Sequence, residues 1–220
     1  MNCSRPIAVA LALMVSMAIP AIARWSLAEV PVYLPAETVE RVLARCGRST
    51  PGGRRDYAIL TLLARLGLRG GEVLRLELED LDWESGRIAI RSSKNGQAAR
   101  LPLPADAGAA IAEYLRRDRP RCDSRRVFLR LSAPHVGFSG SPAISLVVAK
   151  ALDRAGVTPV RKGAHVFRHS LATAMLGRGA SLQEIGQILR HRSLKSTAIY
   201  AKVDLEALRG IALPWPGGAP

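Results

Sequence analysis

The chain has 220 residues, of which 48% are hydrophobic; this is enough for one full-sized core and excludes a low-complexity or strongly disordered composition. Its formal net charge of +14 favours a polyanionic partner such as nucleic acid, although a basic protein from a GC-rich genome would show the same excess of arginine. The three cysteines, Cys3, Cys46 and Cys122, are too few and too widely spaced for a disulfide framework or a zinc site.

The N-terminal segment, residues 1–29, is apolar and resembles a secretory signal peptide. Arg5 precedes an apolar run from Ile7 to Ile19, and Ala21-Ile22-Ala23 resembles a cleavage site formed by small residues. The run is short for a membrane span. Two interpretations therefore stay open, a working export signal and an apolar helix or linker left from a lost upstream domain.

Helices alternate with glycine- and proline-rich connections in the next part of the chain. A linker over about Trp25 to Leu34 precedes an amphipathic helix predicted over Ala36–Cys46. Pro51-Gly52-Gly53 is predicted to be a loop that leads into a second helix, which is apolar over much of its surface and should lie at the centre of the core. Gly67 interrupts this helix, and a short helix is predicted over Gly71–Leu78.

A β-hairpin follows the short helix. Residues Arg87 to Arg91 alternate between polar and apolar side chains as a strand does, and Asn95-Gly96 is a strong hairpin signal because both residues tolerate positive φ. Arg100 to Leu103 is predicted to be the partner strand, and its proline, Pro102, suggests a sheet edge.

The C-terminal half is predicted to be helical. Helices are expected at Ala105–Arg117, Ser141–Ala155, His165–Arg178 and Ser181–Leu189, with a shorter one at Thr197–Val203. Ser181 and Glu184 form a capping-box pattern that supports the start of the fourth of these helices. The expected fold class is therefore mainly α with a small antiparallel β-sheet (α+β).

Two arginines in this framework suggest a phosphate site. Arg69 follows a buried helix, and Arg168 shares a helix face with His165 at i, i+3 spacing, whereas His169 is expected to point elsewhere. A guanidinium is a rigid fork that can grip two phosphate oxygens. Arg69 and Arg168 could together stabilise the additional charge of a five-coordinate transition state in place of metal ions.

Lys94, His191 and Tyr200 would complete such a site. Lys94 lies beside the hairpin tip, and its ammonium can donate a proton to a leaving 5′ oxygen. Tyr200 is a weak nucleophile until its phenol loses a proton, at about pH 10 in water, and neighbouring cations favour that loss. Taken singly, each of these residues has a commoner explanation as a surface polar residue, a turn lysine or a core-edge tyrosine.

The order of these residues along the chain closely resembles the tyrosine recombinase/integrase family. The motifs are Gly67-Leu68-Arg69-Gly70-Gly71-Glu72, Lys94, His165-Val166-Phe167-Arg168-His169, Leu189-Arg190-His191 and Tyr200. The nine-position step from His191 to Tyr200 also matches the family pattern. The resemblance implies the tyrosine recombinase catalytic-domain fold over residues 30–216, with residues 217–220 as a tail.

The resemblance also implies a role for each residue of the covalent chemistry. Tyr200 resembles the nucleophile that forms a 3′-phosphotyrosyl bond, Arg69 and Arg168 resemble the phosphate clamp, and Lys94 is similar to the general acid. The implied function is site-specific DNA recombination or integration, with no metal, nucleotide or other cofactor. The energy for rejoining would be held in the phosphotyrosine bond.

The remaining residues of the set resemble the supporting members of the family's site. His165 resembles the residue that helps to accept or shuttle the tyrosine proton, and His191 resembles the residue that hydrogen-bonds the scissile phosphate. Glu72 is similar to an acidic residue that orients the first arginine. The implied partners are double-stranded DNA and further copies of the chain, usually as a tetramer on DNA, with no membrane and no small-molecule substrate.

The cellular location of the protein and the short segment before its catalytic domain are considered together. A basic DNA enzyme has no substrate outside the cell, so we expect a cytoplasmic protein in which residues 1–29 do not act as an export signal. Family members usually carry an N-terminal helical domain that closes around the DNA. Only about 30 residues precede the catalytic domain here, so two explanations stay open, a truncated copy and a misplaced start. We expect weak DNA binding by this chain alone.

The motifs depart from the family pattern at two places. Arg190 stands where the family usually has a glycine, and we expect it to crowd the backbone near His191. Gly70-Gly71 replaces a pair of the Ile-Ser type, and we expect a looser helix start because glycine costs about 0.5–1 kcal/mol inside a helix.

Three other interpretations stay open. The chain could be a catalytically defective, DNA-binding remnant of an integrase, or a secreted protein of another function. It could also be a metal-dependent nuclease built on the acidic run Glu77, Glu79, Asp80, Asp82 and Glu84. That run crowds a helix end and a turn and lacks the glycine and ligand order of an EF-hand, so a solvated loop fits it better.

Overall fold

The computed structural model describes residues 31–91, 98–158, 163–193 and 196–203, with only the backbone of residues 202 and 203. The helices in this part of the chain are α1 Ala36–Ala44, α2 Pro51–Leu66, α3 Gly70–Arg75, α4 Ala105–Arg117, α5 Ser141–Arg154, α6 His165–Leu176 and α7 Leu182–Ile188. The strands are β1 Leu81–Asp82, β2 Arg87–Ile90 and β3 Ala99–Pro102, and two 3₁₀ helices cover Leu78–Asp80 and Ala198–Val203. This arrangement confirms the expected fold class, mainly α with a small antiparallel sheet.

Helix α2 begins earlier than the sequence predicts. Pro51-Gly52-Gly53 is not a loop but the first turn of the helix, because proline at N1 loses no hydrogen bond there and has a suitable φ. The Thr50 hydroxyl caps the turn by accepting from the Gly53 amide at 3.1 Å. A Cβ at residue 53 would lie 1.6 Å from the carbonyl oxygen of Gly47, so glycine is required by the close approach of the two backbones.

The middle of α2 forms the centre of the core, as expected from its apolar surface. All residues from Ala58 to Leu63 are buried, and α2 packs chiefly against α4 and also against α6. The helix ends at Gly67, which has a left-handed φ of 56°. A Cβ at this position would meet the side chains of Leu189 and Leu171 at 2.8 and 3.0 Å, so the end of α2 lies directly against the C-terminal elements.

The sheet has the order β1-β2-β3, and both pairs are antiparallel. The predicted hairpin strands are confirmed, with Ile88 opposite Leu101, and Pro102 lies on an edge strand as expected. Strand β1 was not predicted, because a two-residue strand has no periodicity to recognise. The predicted helix over Gly71–Leu78 ends at Arg75 instead. The hairpin tip at Asn95-Gly96 lies outside the described residues.

The acidic run after α3 makes ion pairs with arginines. Asp80 accepts hydrogen bonds from the Glu77 amide and the Arg91 guanidinium, both at 2.9 Å, and Glu79 pairs with Arg125. Among the described residues, no group of three or more histidine, cysteine, aspartate or glutamate side chains is arranged to hold a metal ion. Glu77, Glu79 and Asp80 are thus ion-pair partners of arginines.

The C-terminal elements form a second, smaller apolar cluster. Its buried members are Ala172, Ile185, Leu189 and Tyr200. The capping box at the start of α7 is confirmed, with the Ser181 hydroxyl accepting from the Glu184 amide at 3.2 Å. The short helix predicted at Thr197–Val203 is a 3₁₀ helix over Ala198–Val203. In the described part of the chain, no helix is both long and apolar enough to cross a membrane.

Candidate active site

An open, basic cavity of about 460 Å³ lies where the end of α2, the start of α6 and the segment after α7 meet. Its lining residues are Arg69, His165, Arg168, His169, His191, Arg192, Ser196, Ile199 and Tyr200. Five of the seven predicted site residues are therefore brought together around one volume. Glu72 lies behind the wall, paired with Arg69, and Lys94 lies outside the described residues.

Glu72 holds Arg69 at the start of α3. The Arg69 Nη1 atom donates to Glu72 Oε1 at 2.9 Å, and the Arg69 amide donates to Glu72 Oε2 at 2.8 Å. Burial by itself would raise the pKa of Glu72, but the Arg190 guanidinium and the hydrogen bonds from Arg69 lower it below its ordinary value. Glu72 is therefore a buried carboxylate that fixes the orientation of the first arginine.

Arg168 is a buried cation held by two backbone carbonyls. It is 3% exposed, and its guanidinium donates to the Gly67 oxygen at 2.6 Å and to the Leu189 oxygen. Burial lowers the pKa of Arg168 to about 9, and the charges of Arg69 and Arg190 contribute to this shift. Burial and two neighbouring cations thus both disfavour the charged form of Arg168.

Arg190 has the left-handed backbone that a glycine would adopt freely. Its φ is 55°, a left-handed conformation that costs non-glycine residues about 1 kcal/mol or more. The side chain turns inward and is 3% exposed. Its Nη2 atom donates to Glu72 Oε2 at 2.9 Å, and its Nη1 atom donates to the Ile188 oxygen at 3.0 Å. Glu72 is therefore shared by two arginines.

The phenol of Tyr200 is hydrogen-bonded to His169, which the sequence analysis wrongly expected to point elsewhere. The Nδ1 atom of His169 lies 2.9 Å from the Tyr200 Oη atom. Because successive helical residues are rotated by about 100°, residue i+4 lies about 40° from residue i, nearer than residue i+3 at about 60° on the other side. His169 therefore shares the cavity face of α6 with His165 and Arg168.

Tyr200 is buried in the second apolar cluster although it lines the cavity. Its side chain forms part of the cavity wall, and the residue is 1% exposed. Burial raises the pKa of Tyr200 to about 12, and the opposing effect of Arg168 and Arg69 is smaller. The nearby cations favour the phenolate, as expected, but burial outweighs them.

The three cavity histidines are all disfavoured as cations. Burial, followed by the charges of Arg168 and Arg69, lowers the pKa of His191 to about 4. The same causes lower the pKa of His165, which lies at the exposed rim. His191 Nδ1 lies 2.6 Å from the hydroxyl oxygen of Thr197, and the His191 ring is nearly parallel to that of Tyr200, with centroids 6.4 Å apart.

Sequence reasoning missed His169 and Thr197 as parts of this site. The helical spacing from His165 was a sufficient signal for His169, because positions i and i+4 always face the same side. No local pattern distinguishes Thr197 from the other small polar residues around it. Its part in the site is evident only from the folded structure, where its buried hydroxyl lies within hydrogen-bond distance of the His191 ring.

Comparison with known proteins identifies the family of the chain. Residues 33–206 match the phage integrase family. The integrase/recombinase y4rA of Sinorhizobium fredii is 54% identical over 202 residues, covering 92% of this chain and 49% of that protein. The chain thus spans about half the length of this relative.

Two solved structures have the same fold. A crystal structure of XerA recombinase has a TM-score of 0.69 at 28% identity, over 88% of this chain and 65% of that one. XerH site-specific recombinase bound to a palindromic difH substrate has a TM-score of 0.71 at 23% identity, over 83% of this chain and 52% of that one. These matches confirm the fold and the resemblance read from the motifs, and the chain belongs to the phage integrase family, the tyrosine recombinases.

Proposed function

We propose that this chain cuts and rejoins DNA in site-specific recombination or integration, through a 3′-phosphotyrosyl bond to Tyr200. The observation that carries the proposal is the convergence of Arg69, Arg168, His191 and Tyr200 on one cavity in an integrase-family fold. A phosphodiester in this cavity would lie between two guanidinium groups and beside a phenol. Such a placement would bring phosphorus within reach of the phenol and stabilise the charge that develops during attack.

Arg69 and Arg168 are proposed to bind the scissile phosphate. Both guanidiniums are fixed before any ligand arrives, one by Glu72 and the other by the Gly67 and Leu189 carbonyls. Preorganised donors stabilise a developing charge without reorganisation during the reaction. The positive charge of the two guanidiniums would then stabilise the five-coordinate transition state.

Tyr200 is proposed to attack phosphorus once the phosphate is bound. Its pKa of about 12 describes the site without a bound anion, so the phenol needs a proton acceptor in the attack. His165 is proposed to assist this transfer, and His191 to hydrogen-bond the phosphate. Lys94 is proposed, from the sequence motif, to protonate the leaving 5′ oxygen. These roles need no metal ion.

Double-stranded DNA is the proposed partner, bound by several copies of the chain acting as a tetramer. The net charge of +14 supports a polyanionic partner, and the structurally similar XerH was solved with its DNA substrate. We further propose that residues 30–216 form the catalytic domain and that the reaction takes place in the cytoplasm, where chromosomal and mobile-element DNA lie.

A covalent-capture experiment tests the proposed function. The chain is incubated with a library of nicked duplexes that carry a randomised core, and DNA that resists denaturing wash is recovered and sequenced. We expect a protein–DNA adduct that persists in EDTA and is absent with Tyr200→Phe, because the phenol oxygen forms the bond. Tight DNA binding without an adduct would instead identify a catalytically defective remnant.

A further inference from the structure

The Tyr200 phenol has a hydrogen-bond partner that the family motifs did not assign to it. The His169 Nδ1 atom lies 2.9 Å from the Tyr200 Oη atom, and the two rings are tilted with centroids 5.7 Å apart. We propose that His169 is a catalytic residue that takes the phenol proton as Tyr200 attacks the phosphate. This inference rests on the proposed function.

The surroundings of His169 make its ring a neutral acceptor. Burial, followed by the nearby His165 and Arg168, lowers its pKa to about 4. At neutral pH the ring is therefore uncharged, and Nδ1 can accept a hydrogen bond when Nε2 holds the proton. The facing groups on other elements are the Tyr200 phenol and the His191 ring.

A bound phosphate would strengthen His169 as a base at the moment it is needed. The cations near His169 disfavour a proton on its ring, and a phosphodiester between Arg69 and Arg168 would offset their charge. Phosphate binding would thus raise the pKa of His169 and make its ring a stronger acceptor for the Tyr200 proton. A premature phenolate would be avoided, since the pKa of Tyr200 is about 12 without the anion.

In the proposed step one bond to phosphorus forms, one breaks and two protons move. The Tyr200 Oη–phosphorus bond forms, and the bond between phosphorus and the 5′ oxygen breaks. The Oη proton passes to His169 Nδ1, and the leaving 5′ oxygen takes a proton from the group proposed as general acid, Lys94. In rejoining, the same transfers run in reverse, and His169 returns its proton to the phenol oxygen.

His165 takes a different place in this scheme from the one the resemblance implies. Its ring centroid lies 6.3 Å from that of His169, one helical turn earlier on α6. His169 is in hydrogen-bond contact with the phenol, so it is the first acceptor. His165 then acts on the phosphate or on the protonated His169 ring.

Two substitutions separate proton transfer from simple positioning. Asparagine at residue 169 keeps an amide oxygen near the position of Nδ1 but is not a base, whereas alanine removes both functions. We expect His169→Asn and His169→Ala to slow adduct formation by roughly 10²- to 10⁴-fold, the usual span for general acid–base catalysis. Adduct formation by His169→Asn within about twofold of the unsubstituted chain would show a positioning role only and overturn the proposal.

A substrate with a 5′-bridging sulfur gives the second readout. Sulfur leaves without protonation, so this substrate should rescue Lys94→Ala but leave His169→Asn slow. Rescue of His169→Asn would place His169 on the leaving-group side and also overturn the proposal. DNA binding by the variants should stay within about twofold of DNA binding by the unsubstituted chain. A loss of binding large enough to account for the slow cleavage would show a structural role and overturn the proposal.

A matched control comes from a histidine away from the cavity. His135 contacts the Arg130 carbonyl and does not line the site, so His135→Asn should change the cleavage rate by no more than about twofold. Absence of any adduct with the unsubstituted chain would mean that the proposed function fails. A normal adduct with unimpaired His169 variants would mean that only this inference fails.

Discussion

The two halves of the candidate site rest on two apolar clusters of very different size. The arginine half adjoins the main core, where Leu68, Val73 and Phe167 are each fully buried. The half that contains Tyr200, the proposed nucleophile half, belongs to a cluster that has four buried members among the described residues. Local opening is easier where few apolar contacts must be broken, so Tyr200 is expected to adjust while Arg69 and Arg168 stay fixed.

Two guanidiniums connect these regions. Arg168 donates to Gly67, at the end of the central helix α2, and to Leu189, in the smaller cluster. Arg190 reaches from the segment after α7 to Glu72 in α3. The same arginines that make the cavity positive therefore fasten the nucleophile half to the rigid half, and each can be removed separately.

Replacing Arg168 should have the largest effect of the substitutions considered, a loss in the rate of adduct formation. Arg168→Ala takes away a buried guanidinium that we propose binds the phosphate, together with the link to Leu189. Loss of a single preorganised donor already costs roughly 10²- to 10³-fold in rate. We expect adduct formation to fall by at least that factor. Hydrogen exchange should accelerate at the amides around Leu189 to Tyr200 and stay slow in α2.

A matched control for Arg168 lies just beyond the same helix. Arg178 is exposed after the end of α6 and does not line the cavity. Arg178→Ala should leave the cleavage rate within about twofold. Cleavage by Arg168→Ala at the rate of the unsubstituted chain, or hydrogen exchange that accelerates equally in α2, would contradict the expected difference in rigidity between the two regions.

The main core was largely predictable from the sequence because local periodicity specifies it. The bounds of α4, Ala105–Arg117, agree with the prediction, since its apolar residues recur at helical spacing and a proline precedes it. The first turn of α2 was missed because Pro51-Gly52-Gly53 has loop composition. Its helical state depends on the Thr50 cap and on contact with Gly47.

The site was predictable as a set of residues but not as a set of contacts. Motif order identified Arg69, Arg168, His191 and Tyr200, and the cavity brings them together. The Glu72–Arg190 ion pair joins residues 118 positions apart, and no local pattern encodes such a contact. The sequence indicated crowding at Arg190 but not that its side chain would turn inward to share a carboxylate.

Neutralising Glu72 should have the next largest effect, a loss in the free energy of unfolding. Its side chain is 1% exposed and pairs with Arg69 and Arg190, and removing one partner of a buried pair costs about 3–5 kcal/mol. We expect Glu72→Gln to lower the free energy of unfolding by about 3 kcal/mol, near the lower end because the amide can still accept from Arg69. Urea denaturation at pH 7 measures this difference.

The pH dependence of that difference has a defined sign. The folded pKa of Glu72 is lowered, so its stabilising contribution is present above the unfolded value of about 4.5 and is lost as pH falls further towards the folded pKa. The gap between the unsubstituted chain and Glu72→Gln should therefore shrink below about pH 4.5. Glu40→Gln is the control: its exposed pair with Arg65 should contribute at most about 1 kcal/mol.

Replacing Arg190 should have the smallest effect on stability, because two terms oppose each other. Arg190→Gly relieves the left-handed backbone, a gain of about 1 kcal/mol, but removes a buried partner of Glu72. Arg69 still pairs with Glu72, so we expect a net loss of about 1–2 kcal/mol in the free energy of unfolding.

Arg190→Ala separates the two terms, since alanine removes the ion pair but keeps the backbone cost. It should be less stable than Arg190→Gly by about 1 kcal/mol. If Arg190→Gly is instead more stable than the unsubstituted chain while forming adduct more slowly, the ion pair is a net cost to folding. Arg190 would then contribute to the reaction rate by orienting Glu72 and Arg69. The link between the two regions would not contribute to the free energy of unfolding.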